Sequence, residues 1–188
     1  MMKKILIGVM TLVIVLGLCA CGGGGGGNDG GGGGGAVKGE VYDAGNVSVL
    51  VPDGWMAVPT SDIFDDYDGD YDPYRVSLYK GADSEWDAFT CPGVNIVSYK
   101  PTTTVGFEST KAFYDDVQDL EPMTFGNYTY EGFSAVSMDV PITTLLTTGN
   151  DDGAQVQVTL WTEMDEGNIS LDDPDVQAIL ESIAVVND

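Results

Sequence analysis

Hydrophobic and polar residues alternate along much of the chain beyond residue 37, and this pattern predicts a domain built mainly of β-strands. Residues 94–99 are an exception, because Val94 and Ile96 point to one side and Val97 and Tyr99 to the other, so both faces are apolar. Such a strand is typical of the middle of a sheet that is covered on both sides. The predicted strands cover residues 40–43, 47–51, 55–58, 75–80, 94–99, 123–125, 128–130, 133–140, 142–148 and 155–164.

Two apolar stripes with helical spacing predict two helices. The first covers residues 107–120, in which Phe107, Phe113, Val117 and Leu120 form the stripe, and it ends before Pro122. The second begins after the acidic segment 172–173 and continues to about residue 183. Helices that pack on a mostly antiparallel sheet define an α+β fold, which is the fold class that we predict.

The start of the second helix is the most clearly marked boundary in the chain. Asp173 is the predicted N-cap, Pro174 fits the first helical turn, and the carboxylate of Asp175 suits the positive end of the helix dipole.

Turn residues separate the predicted strands. We expect a tight turn at residues 131–132, a bend at Pro141 and a hairpin loop at residues 149–153. The strand that follows this loop has one polar face, which also carries Trp161. That face is either a recognition patch or a surface covered by a helix or loop.

The first twenty residues predict an export signal. Lys3 and Lys4 precede an apolar run at residues 5–18, which is shorter than the roughly 20 residues needed to span a bilayer. The run ends in Leu18-Cys19-Ala20-Cys21, which resembles the lipobox of bacterial lipoproteins. The resemblance implies cleavage before Cys21 and a thioether-linked lipid, with palmitate-type acyl chains, on that cysteine. Two acyl chains on one residue hold a protein at a membrane, whereas a single chain binds only marginally.

This leader defines the predicted domain organisation. Residues 1–20 form the signal peptide, residues 21–36 a lipidated cysteine with a glycine-rich tether, and residues 37–188 one globular domain outside the cytoplasm. We expect the tether to be disordered, because glycine loses much entropy on ordering and nothing in this segment can be buried. An uncut membrane anchor and ordinary signal cleavage are the alternatives.

Each end of the domain carries a characteristic short segment. The N-terminal end carries Pro52-Asp53-Gly54-Trp55 after a strand that ends in valine. The C-terminal end carries Asp172-Asp173-Pro174-Asp175 before a helix with Ser182 near its end. Together these two ends resemble the PsbP/Mog1-like proteins, and the resemblance implies an α/β sandwich in which that helix packs on the sheet.

The charge of the chain restricts its partners. The sequence contains 7 basic and 30 acidic residues, which gives a net charge of −23. Loss of Lys3 and Lys4 with the leader leaves 5 minus 30, or −25. Such a charge repels nucleic acid and anionic lipid, and it favours a basic protein, a cationic cell-wall component or a metal ion.

A run of aspartates lies between residues 62 and 72. Asp68, Asp70 and Asp72 imitate the first, third and fifth ligands of a calcium loop, but Pro73 and Tyr79 replace the required glycine and glutamate. We therefore predict a solvated loop without a metal site. An irregular oxygen cage for calcium, or a contact surface for a cationic or sugar partner, remains open.

The sequence predicts no catalytic site and no cofactor. It has no histidine, which excludes Ser-His and Cys-His hydrolases and the usual zinc enzymes. Cys91 is predicted to be a buried structural thiol, and Ser77 and Lys80 lie three residues apart on one strand, on opposite faces. The expected function is a non-catalytic binding or accessory module of the cell envelope. A calcium-responsive domain and, less favoured, a histidine-free hydrolase are the alternatives.

Overall fold

The computed structural model describes residues 36–61, 71–100, 103–148 and 155–186 of the 188-residue chain. Two α-helices, α1 (Phe107–Lys111) and α2 (Pro174–Ser182), and a 3₁₀ helix at Glu85–Phe89 accompany the strands. The strands are β1 (Gly39–Asp43), β2 (Val47–Pro52), β3 (Trp55–Ser61), β4 (Tyr71–Lys80), β5 (Gly93–Tyr99), β6 (Asp115–Phe125), β7 (Tyr128–Ser137), β8 (Val140–Thr147), β9 (Gln155–Trp161), β10 (Glu163–Met164), β11 (Gly167–Asn168) and β12 (Ala184–Val185).

The strands of the described residues form three antiparallel sheets. The largest has seven strands in the order β3-β4-β5-β9-β8-β7-β6, a second has the order β1-β2-β12, and β10 pairs with β11. The described part of the chain is thus mostly antiparallel β-sheet with two α-helices, and the predicted α+β class is confirmed.

The main core lies between one face of the seven-stranded sheet and a layer made of α2 and β2. Val176, Ile179 and Leu180 form a stripe with helical spacing on α2, and all three are fully buried. The end of the helix is tied to β2 by a hydrogen bond in which the backbone N–H of Leu50 donates to the Ser182 hydroxyl at 2.8 Å. The buried stripe of α2 and this hydrogen bond together hold α2 and the β1–β2 hairpin against the sheet.

A smaller cluster covers part of the opposite sheet face. Phe133 of β7 packs against Phe107 of α1, with ring centroids 5.7 Å apart in an edge-to-face arrangement, and against Tyr114 at 5.6 Å. Trp161 is half-buried against the same cluster. The polar face of β9 is therefore partly covered near Trp161.

Several predictions from the sequence are confirmed. Residues 40–43 and 47–51 form the β1–β2 hairpin, and β5 lies inside the sheet between β4 and β9. The turn before Trp55 contains Gly54 at a φ of 85°, a conformation that glycine adopts without strain. Asp173 is the N-cap of α2, and Pro174 is its first residue.

The predicted helix over residues 107–120 is wrong beyond its first turns. Only Phe107–Lys111 is helical, and residues 115–125 form the edge strand β6. Asp116, at a φ of 52°, lies within β6 where the register shifts between Asp115 and Gln118, a conformation that a continuing helix would not contain. Pairing of β6 with β7 replaces the helical hydrogen bonds, and Pro122 is tolerated because an edge strand needs fewer N–H donors.

The turn predicted at residues 131–132 is also wrong. Strand β7 runs through this point, and the chain reverses at Met138 and Asp139, whose φ angles of 50° and 66° are those of a tight hairpin turn. Pro141 lies within β8 rather than before it, and β9 ends at Trp161. The loop predicted at residues 149–153 lies outside the described residues.

We predict that Ile179→Ala lowers the free energy of unfolding by about 2–5 kcal/mol, because it leaves a cavity where α2 meets the sheet. Urea denaturation followed by circular dichroism measures this change. Glu181→Ala is the control, since Glu181 is exposed on the same helix and should change stability by less than about 0.5 kcal/mol. Equal losses in the two variants would show that α2 does not depend on this contact.

Candidate functional site

The 3₁₀ helix at Glu85–Phe89 is held in place by a capping interaction. One carboxylate oxygen of Asp87 accepts hydrogen bonds from the backbone N–H groups of Asp83 and Ser84, each at 2.9 Å. These bonds lower the pKa of Asp87 below its usual value, and the bond from the Asp83 N–H has the largest effect. The turn is thus built around a charged carboxylate at its start.

Two large aromatic side chains project from this turn into solvent. Trp86 is 79% exposed and Phe89 is 75% exposed. Their spacing of three residues brings them onto one side of a 3₁₀ helix, and their rings stack with centroids 6.5 Å apart and planes 27° apart. Exposed aromatic surface of this kind is typical of interaction sites.

Acidic residues lie on the same turn and beside it. Asp83 and Glu85 are exposed on the turn, and Glu166 is brought beside it because its backbone N–H donates to the Thr90 carbonyl at 2.9 Å. We call the set of Asp83, Glu85, Trp86, Asp87, Phe89 and Glu166 the aromatic–acidic surface.

A cleft of about 260 Å³ lies next to this surface. Its lining includes three of the carboxylates and one basic residue, Lys80. The Lys80 ammonium already lies 3.7 Å from an Asp173 oxygen and 5.9 Å from the centroid of the Trp55 ring. The cleft therefore retains a negative character that suits a cationic group.

Cys91 forms part of the lining of this cleft and is only 4% exposed. Burial, together with the nearby carboxylates of Asp87 and Glu166, raises the pKa of its thiol. The thiol is therefore protonated at neutral pH, and the prediction that Cys91 is buried is confirmed.

The geometry of Ser77 and Lys80 also agrees with the sequence analysis. The Ser77 hydroxyl accepts a hydrogen bond from the Asn95 side-chain amide at 2.8 Å, whereas Lys80 reaches Asp173 and Trp55 on the other side of the sheet. The two side chains lie on opposite faces of β4, so they do not form a nucleophile–base pair.

Only the end of the aspartate run is described. Asp72 is nearly buried, accepts a hydrogen bond from the Tyr74 N–H at 2.9 Å and pairs with the Arg75 guanidinium at 3.2 Å. These two partners use the carboxylate that the sequence placed in a calcium-like pattern. Residues 62–70 lie outside the described residues, and in the remainder no three acidic or cysteine side chains converge on a point that could hold a metal.

Cys21 and the leader also lie outside the described residues, so lipid attachment stays a prediction. In the part of the chain that the structure describes, no helix has the length and apolar character required to cross a bilayer.

Comparison with known proteins finds several similar solved structures, of which two are described here. One is a point mutant of the protein Mog1, at a TM-score of 0.43 and 8% identity, covering 80% of this chain and 97% of that one. The other is LpqN, involved in cell envelope biogenesis of Mycobacterium tuberculosis, at a TM-score of 0.39 and 14% identity, covering 74% of this chain and 82% of that one. No family model matches the sequence, and no curated protein is significantly similar to it. Similarities of this size do not assign the chain to a family.

The sequence analysis missed the aromatic–acidic surface. The sequence does contain a pattern for this turn: Ser84 is followed three residues later by Asp87, and Trp86 and Phe89 are also three residues apart. That pattern indicates a short capped helix, but exposure of the rings depends on how the turn sits against the sheet.

We predict that Cys91 reacts with a disulfide reagent at pH 8 more slowly in the native protein than in the unfolded chain. The raised pKa means that the thiolate forms only at higher pH, so the native rate should still be rising where an ordinary thiol has reached its plateau. A variant with Cys19→Ser and Cys21→Ser leaves one thiol to follow. Equal native and unfolded rates at pH 8 would contradict a protonated, shielded thiol.

Proposed function

We propose that the chain is an exported lipoprotein, anchored through Cys21, whose domain is a non-catalytic module that binds a positively charged partner in the cell envelope. The partner is a basic protein or a cationic wall component, and the aromatic–acidic surface is its binding site. The observation that carries this proposal is the exposed, stacked pair of Trp86 and Phe89 on a turn that also carries the exposed residues Asp83 and Glu85.

The chemistry of the surface supports a cationic partner. Lysine and arginine side chains bind to the faces of aromatic rings, with about 0.5–1 kcal/mol for each exposed contact. The neighbouring carboxylates of Asp83 and Glu85 add attraction that depends on salt concentration. Aromatic area gives affinity here, while charge selects the partner and speeds encounter.

The non-catalytic part of the proposal rests on the groups that would perform chemistry. The sequence has no histidine, the Cys91 thiol is shielded, and Ser77 and Lys80 face apart. The carboxylates around Trp86 lie at an exposed turn, where water screens them. Such a surface suits binding better than acid–base catalysis.

The leader supports the anchoring part. A run of apolar residues too short to span a bilayer precedes Cys21, and the glycine-rich segment after it gives a reach of roughly 20 Å between anchor and domain.

We predict that Cys21→Ser prevents lipidation and release of the signal peptide, because the acceptor thiol is lost. Mass spectrometry of the mature N-terminus and membrane fractionation measure this change. Cys19→Ser is the matched control, since the adjacent cysteine is expected to be removed with the leader. Lipidated wild type with unlipidated Cys21→Ser supports the proposal, whereas a wild-type N-terminus without acyl mass would contradict it.

We predict that Trp86→Ala with Phe89→Ala weakens binding of a blocked hexaarginine peptide about fivefold to thirtyfold, because two ring contacts of about 0.5–1 kcal/mol each are lost. Isothermal titration calorimetry on the full chain in mild detergent measures the affinity. Phe113→Ala is the matched control, because Phe113 is 85% exposed just beyond α1 and lies outside this surface. Wild-type affinity in the Trp86→Ala and Phe89→Ala protein would show that the peptide binds by overall charge alone, and an equal loss in the control would show that the rings of this surface are not its specific binding site.

A further inference from the structure

Two strand edges of the described residues have no partner strand and face one cavity. Strand β3 is an outer strand of the seven-stranded sheet, and β1 is an outer strand of the three-stranded sheet. A cavity of about 340 Å³ lies between them and includes Val41, Tyr42, Trp55 and Ala57 in its lining. We call this cavity the strand slot.

The hydrogen bonds of the turn show which backbone groups of β3 point into the open. The Gly81 N–H donates to the Gly54 carbonyl at 2.8 Å, so this pair is hydrogen-bonded across β3 and β4. Bonded and non-bonded pairs alternate in an antiparallel ladder. Met56 therefore bonds to β4, whereas the N–H and C=O groups of Trp55 and Ala57 point away from it.

The same reasoning applies to β1. The Asp53 N–H donates to the Lys38 carbonyl at 2.9 Å, and the Ala44 N–H donates to the Val47 carbonyl at 3.0 Å. The alternation then directs the backbone groups of Val41 away from β2. Val41 is also 71% exposed. Both sides of the slot thus offer backbone donors and acceptors that pair with no strand among the described residues.

The opposite edge of the seven-stranded sheet, strand β6, is protected against pairing with another strand, whereas β3 is not. Strand β6 carries Asp115, Asp116, Asp119 and Glu121 and has two shifts of register. Charges and bulges of this kind prevent edge-to-edge pairing. Strand β3 has no charged residue, and its register with β4 shifts only beyond Pro59. Because proline has no N–H to donate, the part of this edge that can pair with another strand ends at Pro59.

The slot has the size and charge for a short extended segment. A residue in a strand occupies roughly 160 Å³, given a rise of about 3.3 Å, a strand spacing of about 4.8 Å and a layer spacing of about 10 Å, so the cavity holds about two residues. Tyr42 and Trp55 supply apolar walls, while the exposed carboxylates of Glu40 and Asp53 also line the cavity. Neither carboxylate is in an ion pair with a described residue.

We propose that the strand slot binds an extended segment of a partner protein, in which lysine or arginine alternates with apolar residues, by strand addition to the free edge of β3. The backbone of the segment pairs with Trp55 and Ala57, and its basic side chains meet Glu40 and Asp53. This site is separate from the aromatic–acidic surface, so it stands or falls independently of the function proposed above.

The probe is the blocked peptide Thr-Lys-Val-Lys-Val-Lys-Thr, titrated into the isotope-labelled full chain in detergent micelles. Two further peptides have the same sequence and charge but carry two backbone N-methyl groups each. One is methylated on both valines and the other on the first and third lysines, so each loses the N–H donors on one side of the strand. Strand addition predicts that the amide signals of Trp55 and Ala57 shift with the parent peptide, and that at least one methylated peptide binds at least tenfold more weakly. Parent-like affinity for both methylated peptides, or shifts confined to other strands, would overturn the proposal.

Charge variants give a second test. Glu40→Gln with Asp53→Asn should weaken the parent peptide by up to about fivefold for each carboxylate, whereas Glu121→Gln with Glu131→Gln, on β6 and β7, should leave it unchanged. The Trp86→Ala and Phe89→Ala protein should also bind the peptide normally. Equal weakening by both charge pairs, or dimerisation of the free protein through β3 in sedimentation, would count against the slot.

Discussion

Burial of one face of the seven-stranded sheet under α2 and β2 is the interaction on which the rest of the structure depends. The sheet is open, because its outer strands β3 and β6 do not pair with each other. Ile179 and Leu180 belong to one buried cluster with residues of β2 and of the seven-stranded sheet. Their packing therefore fixes α2 and the β1–β2 hairpin relative to the sheet. At about 0.8 kcal/mol for each buried CH₂ group, this layer outweighs the surface ion pairs described above.

The scarce cations of the domain are used to hold its surface segments. Arg75 pairs with Asp72, Lys80 with Asp173, and Lys111 with Glu108 and Asp119, while Lys100 lies over the Tyr74 ring. The hydrogen bonds from Lys111 to Asp119 and Glu108 raise the pKa of that lysine. Among the described residues, most carboxylates are in no ion pair with these cations, so the surface keeps a strong negative field.

The sequence predicts elements whose signals are local and fails where pairing at long range decides. The β1–β2 hairpin, the central strand β5 and the start of α2 at Asp173 follow from alternation, apolar faces and capping residues. The helix predicted over residues 107–120 is wrong from residue 112 onward, whereas residues 123–125 form a strand as predicted. Phe113, Val117 and Leu120 recur with helical spacing, yet Val117 packs on the small cluster while Phe113 is exposed. Only the pairing of β6 with β7 distinguishes a helix from a strand here, and no pattern within the segment indicates that pairing.

The candidate sites were harder to predict for a related reason. A pattern such as Trp86 and Phe89 spaced by three fits a buried stripe as well as an exposed one, and the strand slot depends on which edges the whole topology leaves unpaired.

The two sites nevertheless share one support, the start of α2. The Trp55 indole N–H donates to the Asp175 carboxylate at 3.1 Å, and Asp173 holds the Lys80 ammonium at 3.7 Å. Trp55 lines the strand slot and Lys80 lines the cleft beside the aromatic–acidic surface, and the two side chains are themselves in cation–π contact. The acidic segment that begins α2 therefore does more than cap a helix. Its carboxylates hold the Trp55 ring at the strand slot and the Lys80 ammonium at the cleft.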